Sequence, residues 1–177
     1  GGKADPTVQA AQTTQKLSAR DLQKREAAYP QATTSTKGFD AKAKLFIKDL
    51  IALRDDPGLN QITGPIYGRT GSVSREGSRA QALYDKIVAK GGFQALQDLR
   101  DASKTGGALG NTSNFEVKSL QASIAALDQR QNAEDVKAAL TQLIGDVEGS
   151  NTRMRESYDA TYAYKTPADS AAPPTAP

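Results

Sequence analysis

Four apolar residues behind Ser113 set the character of the chain: Val117, Leu120, Ile124 and Leu127 recur at spacings of three, four and three. An α-helix turns once in 3.6 residues, so this spacing gathers the four side chains into a narrow seam of the kind helices press against one another. In front of the seam, Ser113 and Glu116 stand three residues apart. At that spacing a serine hydroxyl and a glutamate carboxylate satisfy each other's orphan amides at a helix start. Gln129 to Gln131 closes this helix, and Asn132 caps the next, with Glu134 and Asp135 in its first turn where negative charge complements the helix dipole.

The same periodicity recurs along the chain. Behind Asp40, Leu45, Phe46, Leu50 and Leu53, widened by Ile47 and Ile51, predict a helix to about Arg54 with a stripe broad enough for a core position. Ala80, Leu83, Tyr84, Ile87 and Val88 predict another, opened at Gly77-Ser78 and stopped by Gly91-Gly92. Phe93, Leu96 and Leu99 predict a short helix over about 92–102. The last helix carries Val136, Leu140, Leu143 and Val147, then Met154, Tyr158 and Tyr162. Whether it runs unbroken to about Tyr164 turns on a kink near Gly149. The expected fold is all-α, an elongated helical bundle or hairpin. The helix over 114–128 and the helix from 133 form an antiparallel pair, and helices 40–54 and 79–90 complete the bundle.

Between these helices the punctuation predicts three regions. Residues 1–38 read as an extended or partly helical arm. Ser18-Ala19-Arg20-Asp21 imitates a capping box, but Val8, Leu17 and Leu22 do not recur at helical spacing, and Pro30 is expected to end the arm's helix. Gln31 to Gly38 reads as a linker. Residues 39–165 form the helical domain, with a long loop over 55–78 and a glycine hinge over 103–112 containing Gly106, Gly107 and Gly110. Residues 166–177 form a Pro/Ala-rich tail of polyproline-like composition.

Composition narrows the chemistry. Of the 177 residues none is cysteine or histidine, which removes disulfides, thiolate ligands, the commonest metal ligand and the side chain most used for proton transfer near neutral pH. No cofactor is expected, and without histidine the expectation of catalysis falls sharply. There is no run of about 18 apolar residues, so no single transmembrane span is encoded. Residues 1–90 carry fifteen Lys and Arg against nine Asp and Glu, while residues 91–177 carry eight against eleven. The chain is electrically polarised, which suits either solvated faces or head-to-tail packing of neighbouring subunits.

The motifs that invite a chemical reading mostly fail it. Lys104-Thr105 beside Gly106-Gly107 lacks the Gly-Lys-Ser/Thr order of a phosphate-binding loop. Asp55-Asp56 and Glu134-Asp135 are adjacent carboxylates explained by capping and solvation. Loops as long as 55–78 are uncommon unless they bind something. Arg69, Arg75 and Arg79 are therefore candidate partner contacts, with Tyr158, Tyr162 and Tyr164 as candidates for packing on a protein surface. Gly106, Gly107, Gly110, Ser113 and Glu116 are assigned hinge and capping duties.

Several short segments between Ile62 and Leu143 carry a resemblance. They are Ile62-Thr63-Gly64-Pro65, Phe93-Gln94-Ala95-Leu96, Ser103-Lys104-Thr105-Gly106-Gly107-Ala108-Leu109-Gly110, the Ser113 to Glu116 box, Leu120-Gln121-Ala122-Ser123 and Ala126-Leu127-Asp128. This block, a little under half of the chain, resembles a helical module of virion proteins of tailed, especially short-tailed, bacteriophages. The resemblance implies a non-enzymatic, structural virion component in several copies, located in the tail or head interior after assembly in the host cytoplasm. Its implied partners are other virion proteins of the tail, portal or adaptor, and its role is to assist genome ejection. Two alternatives go with it. One is an internal DNA-contacting virion protein using residues 37–79. The other is a peptidoglycan-cleaving ejection enzyme with Glu116 as its acid.

Overall fold

The computed structural model describes residues 18–66, 74–91, 97 and 110–165, and these form an all-α fold without strands among the described residues. Helix α1 spans Ala19–Arg54, α2 is the single turn Leu59–Ile62, and α3 spans Arg75–Asp85 and continues as a π-helical turn, Lys86–Gly91. Helix α4 spans Gly110–Ala125, and α5 spans Ala133–Tyr162 and closes with a 3-10 turn, Ala163–Lys165.

The frame is a hairpin of α1 and α5. In α1 the buried residues are Ala32, Thr36, Phe39, Ala43, Phe46, Leu50 and Leu53, spaced alternately by four and three. In α5 the series Val136, Leu140, Leu143, Val147, Ser150 and Met154 follows the same alternation and ends at Thr161. Such a seven-residue repeat lets two helices stay in contact along their length as an antiparallel coiled coil. At 1.5 Å per residue α1 is about 54 Å long and α5 about 45 Å.

Polar pairs beside the seam set the register. Lys165 Nζ lies 2.7 Å from Glu26, the Tyr158 hydroxyl 2.6 Å from that of Thr33, and Asn151 Nδ2 2.8 Å from Asp40 Oδ1. Each step up α1 is seven residues and each matching step down α5 is seven. One edge of the hairpin is thus pinned once per heptad.

The opposite edge carries the second layer. The π turn after α3 is tied to α1 by Lys86 and Asp49 at 2.6 Å. Helix α4 lies on α5 through Ser123 with Asp146 and Glu116 with Arg153, again one heptad apart and running in opposite directions. Leu120, Leu127, Ile87, Leu59 and Ile62 close the core against the seam. Across the corner between α2 and the α4–α5 turn, the Gly64 N–H reaches the carbonyls of Gln129 at 2.8 Å and Gln131 at 2.7 Å. Gly64 makes that turn at φ +104°, a region that favours glycine. The Gln129 amide donates to Gln81 Oε1 at 2.7 Å, and the Tyr84 hydroxyl donates to the Leu127 carbonyl.

The all-α fold and the antiparallel packing of α4 on α5 agree with the sequence reading. So does the cap at Asn132, whose side chain accepts from the Asp135 N–H at 2.9 Å. The start at Ser18 agrees as well: its hydroxyl accepts from the Asp21 N–H.

Other expectations are corrected. Pro30 does not end a helix, and residues 31–38 are no linker: α1 passes through both without a break. An interior proline costs roughly 3 kcal/mol. Seven seam positions buried against α5 outweigh that local cost. The arm boundary at 38/39 therefore falls inside a continuous helix. The question left open at Gly149 is answered by α5, which continues through it to Tyr162, where packing on α1 holds it. Segment 55–78 is not uniform loop, since α2 lies within it and α3 is capped at Ser74, whose hydroxyl accepts from the Gly77 N–H at 2.9 Å. Most of the short helix expected over 92–102, residues 1–17 of the arm, and the tail over 166–177 lie outside the described residues.

Candidate functional site

Glu116 is the most confined charged group among the described residues. Its side chain is 2% exposed. Arg153 offers it a two-pronged fork, Nε to Oε1 and Nη2 to Oε2 at 2.7 Å, and the Ser150 hydroxyl donates to Oε2 at 2.5 Å. Burial by itself raises the carboxyl's pKa, but the Arg153 fork and the Ser150 hydroxyl outweigh it and hold Glu116 below the usual carboxylate range. This corrects the capping assignment. Helix α4 starts at Gly110, so Ser113 lies inside its first turn, and the Glu116 carboxylate is committed to α5. The hinge glycine Gly110 is the first residue of α4, while Gly106 and Gly107 lie outside the described residues.

Arg79 is also taken up within the fold. Its Nε sits 3.0 Å and its Nη2 3.2 Å from the Asp56 carboxylate, which also accepts from the Gly58 N–H at 2.8 Å. Burial pushes Asp56 up, and Arg79 with the Gly58 amide pulls it further down, leaving it lowered. Gly58 is needed there because a Cβ would stand 2.3 Å from the Glu76 carbonyl oxygen. Arg75 opens α3 and is exposed, and Arg69 lies outside the described residues.

The tyrosines gather at the open end of the hairpin, against their own α1. Tyr162 is buried, its ring 5.1 Å from Tyr29, 5.0 Å from Tyr158 and 6.3 Å from Tyr164. The Lys165 ammonium lies 4.4 Å from the centre of the Tyr29 ring, a cation–π contact added to its ion pair with Glu26. Arg25 Nη1 donates to the Thr161 carbonyl at 3.0 Å. Loss of hydration raises the Tyr158 and Tyr162 hydroxyls above the ordinary tyrosine range. The expected partner contacts Tyr158 and Tyr162 are therefore internal. Tyr164, 38% exposed, keeps a surface.

Next to this cluster a cleft of about 290 Å³ is lined by Lys37, Asp40, Lys44, Arg155 and Asp159, with Thr36 and Tyr158 at its base. Lys44 and Asn151, both bonded to Asp40, hold that carboxyl below its usual range. Among the described residues no group of three or more acidic side chains is placed to hold a metal ion, and no helix is long and apolar enough to cross a membrane. The arrangement is one of fixed ion pairs and ring contacts that lock helices together.

Sequence reasoning missed Arg153, Ser150, Thr33 and Lys165, and it read Asp56 as solvated where the side chain is enclosed and paired with Arg79. A search for polar residues repeating at seven beside a small-residue seam finds Thr33 and Lys165. Asp56 and Arg153 leave no such trace, because their partners are distant in the chain. No family model, no curated protein and no solved structure matches this sequence.

Proposed function

We propose that this chain is a structural component of a tailed-bacteriophage virion, present in several copies, that binds the tail or portal channel and assists genome delivery. The observation that carries the reading is the use made of the residues that bear the resemblance. Ile62 and Gly64 meet Gln129 and Gln131 just behind Ala126-Leu127-Asp128, so segments far apart in the chain form one corner. They are used for architecture, which suits a structural role. Glu116 supports the same reading: a general acid needs a raised pKa, and this carboxyl is buried, forked to arginine and lowered.

The test compares particles produced with and without the protein, and full with emptied particles. The expected result is a fixed copy number in full particles and loss or relocation on emptying. Particles that never incorporate the protein and eject normally overturn the proposal.

A further inference from the structure

The two long helices turn oppositely charged faces to solvent. On the outward positions of α1, away from the seam and its edges, Arg20, Lys24, Lys37, Lys44 and Lys48 are exposed and no acidic residue occurs. On the outward positions of α5 the exposed charges are Glu134, Asp135, Glu148, Glu156 and Asp159, with Arg155 the one cation.

Two further features of these faces have no packing partner among the described residues. Leu45, on α1 among the lysines, is 65% exposed. Gly145, inside α5, has open space where a Cβ would point. A glycine there costs the helix about 1 kcal/mol relative to alanine. The pairing of Asp40 with Asn151 and Thr33 with Tyr158 places position 45 level with 146, 44 with 147 and 37 with 154. A second hairpin carried sideways, without change of orientation, presents its α1 to the first α5 at these same levels. Leu45 then falls at Gly145, Lys44 faces Glu148, and Lys37 faces Glu156.

We infer that the acidic face of α5, centred on Gly145, docks the basic face of α1 from a second copy of this chain, with Leu45 as the knob over the glycine. The interface is heterologous, so it closes into a ring or extends as a row and does not stop at a dimer. The inference rests on the several-copies part of the proposed function, but its test needs no virion.

Sedimentation velocity on the full chain, across protein concentration and salt, reads the association. The expected result is concentration-dependent species beyond a dimer, dispersed at high salt because exposed charges are screened. Gly145→Gln fills the docking point while leaving the helix intact. It should remain monomeric with undiminished helicity and melting temperature. Lys37→Glu and Glu156→Lys should each weaken association by about fivefold, the scale of an exposed pair, and the double variant should regain most of that loss. A wild-type chain that stays monomeric throughout, a closed dimer, association indifferent to Gly145→Gln, or no recovery in the double variant overturns the inference. So does a Lys37→Glu effect seen only on binding to added duplex DNA. Self-association without particle incorporation would leave this inference standing and remove the virion reading.

Discussion

Replacing Arg153 by leucine strands the Glu116 carboxylate. The leucine keeps the stem's packing but removes both prongs of the fork, leaving the carboxylate with the Ser150 hydroxyl alone. Breaking a buried ion pair by removing one partner costs about 3–5 kcal/mol. Arg153 is itself 48% exposed, so water enters the space it vacates and the cost falls below that range. A loss of about 2–3 kcal/mol is expected near pH 7. With a urea m-value of about 2 kcal/mol/M, the denaturation midpoint should fall by about 1–1.5 M.

The pH dependence gives the sharper check. In the parent chain the folded pKa of Glu116 is depressed, so its contribution is present above the unfolded value and is lost as pH falls through the folded one. In Arg153→Leu, burial, the largest influence on this carboxyl, is opposed only by the Ser150 hydroxyl, and the folded pKa rises above the unfolded one. The variant then gains stability as pH falls from 7 toward the ordinary carboxylate range, and its deficit narrows. Urea melts of both proteins at pH 7 and pH 5 decide the matter. A deficit below about 0.5 kcal/mol, or one unchanged between the two pH values, refutes the account of a stranded charge.

Pro30→Ala restores an N–H inside a continuous helix and should stabilise the chain by about 1–3 kcal/mol, read as a rise in melting temperature. No gain would mean that the helix bends at this point. Gly58→Ala sets a methyl 2.3 Å from the Glu76 carbonyl oxygen, and the backbone shift needed should cost about 2 kcal/mol by chemical denaturation. Asn132→Ala removes the cap on the Asp135 N–H and should cost about 1 kcal/mol, with Asn132→Ser restoring most of it.

How much of this was legible depends on what each seam is made of. The seam of α4 was readable because its residues are Val117, Leu120, Ile124 and Leu127; a hydrophobic period of three and four needs only those letters. The longer seam of α1 has the same period, but its outer half is Arg25, Tyr29, Ala32 and Thr36, which no hydrophobicity pattern distinguishes from surface. Pro30 then appeared as a stop because local propensity was the only signal left. The capping box misled for a related reason. Ser113 and Glu116 have the right spacing, but a carboxylate goes where a better partner stands, and Arg153 is 37 positions away.

Small and polar seam residues also explain why the hairpin needs its edge pairs. Ala32, Ala43 and Ser150 bury little apolar surface, and because the seam repeats every seven residues a slip of one heptad still sets seam on seam. The Glu26–Lys165, Thr33–Tyr158 and Asp40–Asn151 pairs differ in kind: ionic, hydroxyl–hydroxyl, and carboxylate–amide. A slip by seven residues sets Glu26 against Tyr158 and Thr33 against Asn151, or Thr33 against Lys165 and Asp40 against Tyr158, and separates the ion pair in either direction. The edge thus discriminates where the core does not. Thr33→Val with Asn151→Leu should therefore cost alignment more than stability. Paired spin labels on the two helices would show it as a second inter-helix distance, the product of an axial shift of one heptad, roughly 10 Å. A single native distance in that double variant would place the register in the core after all.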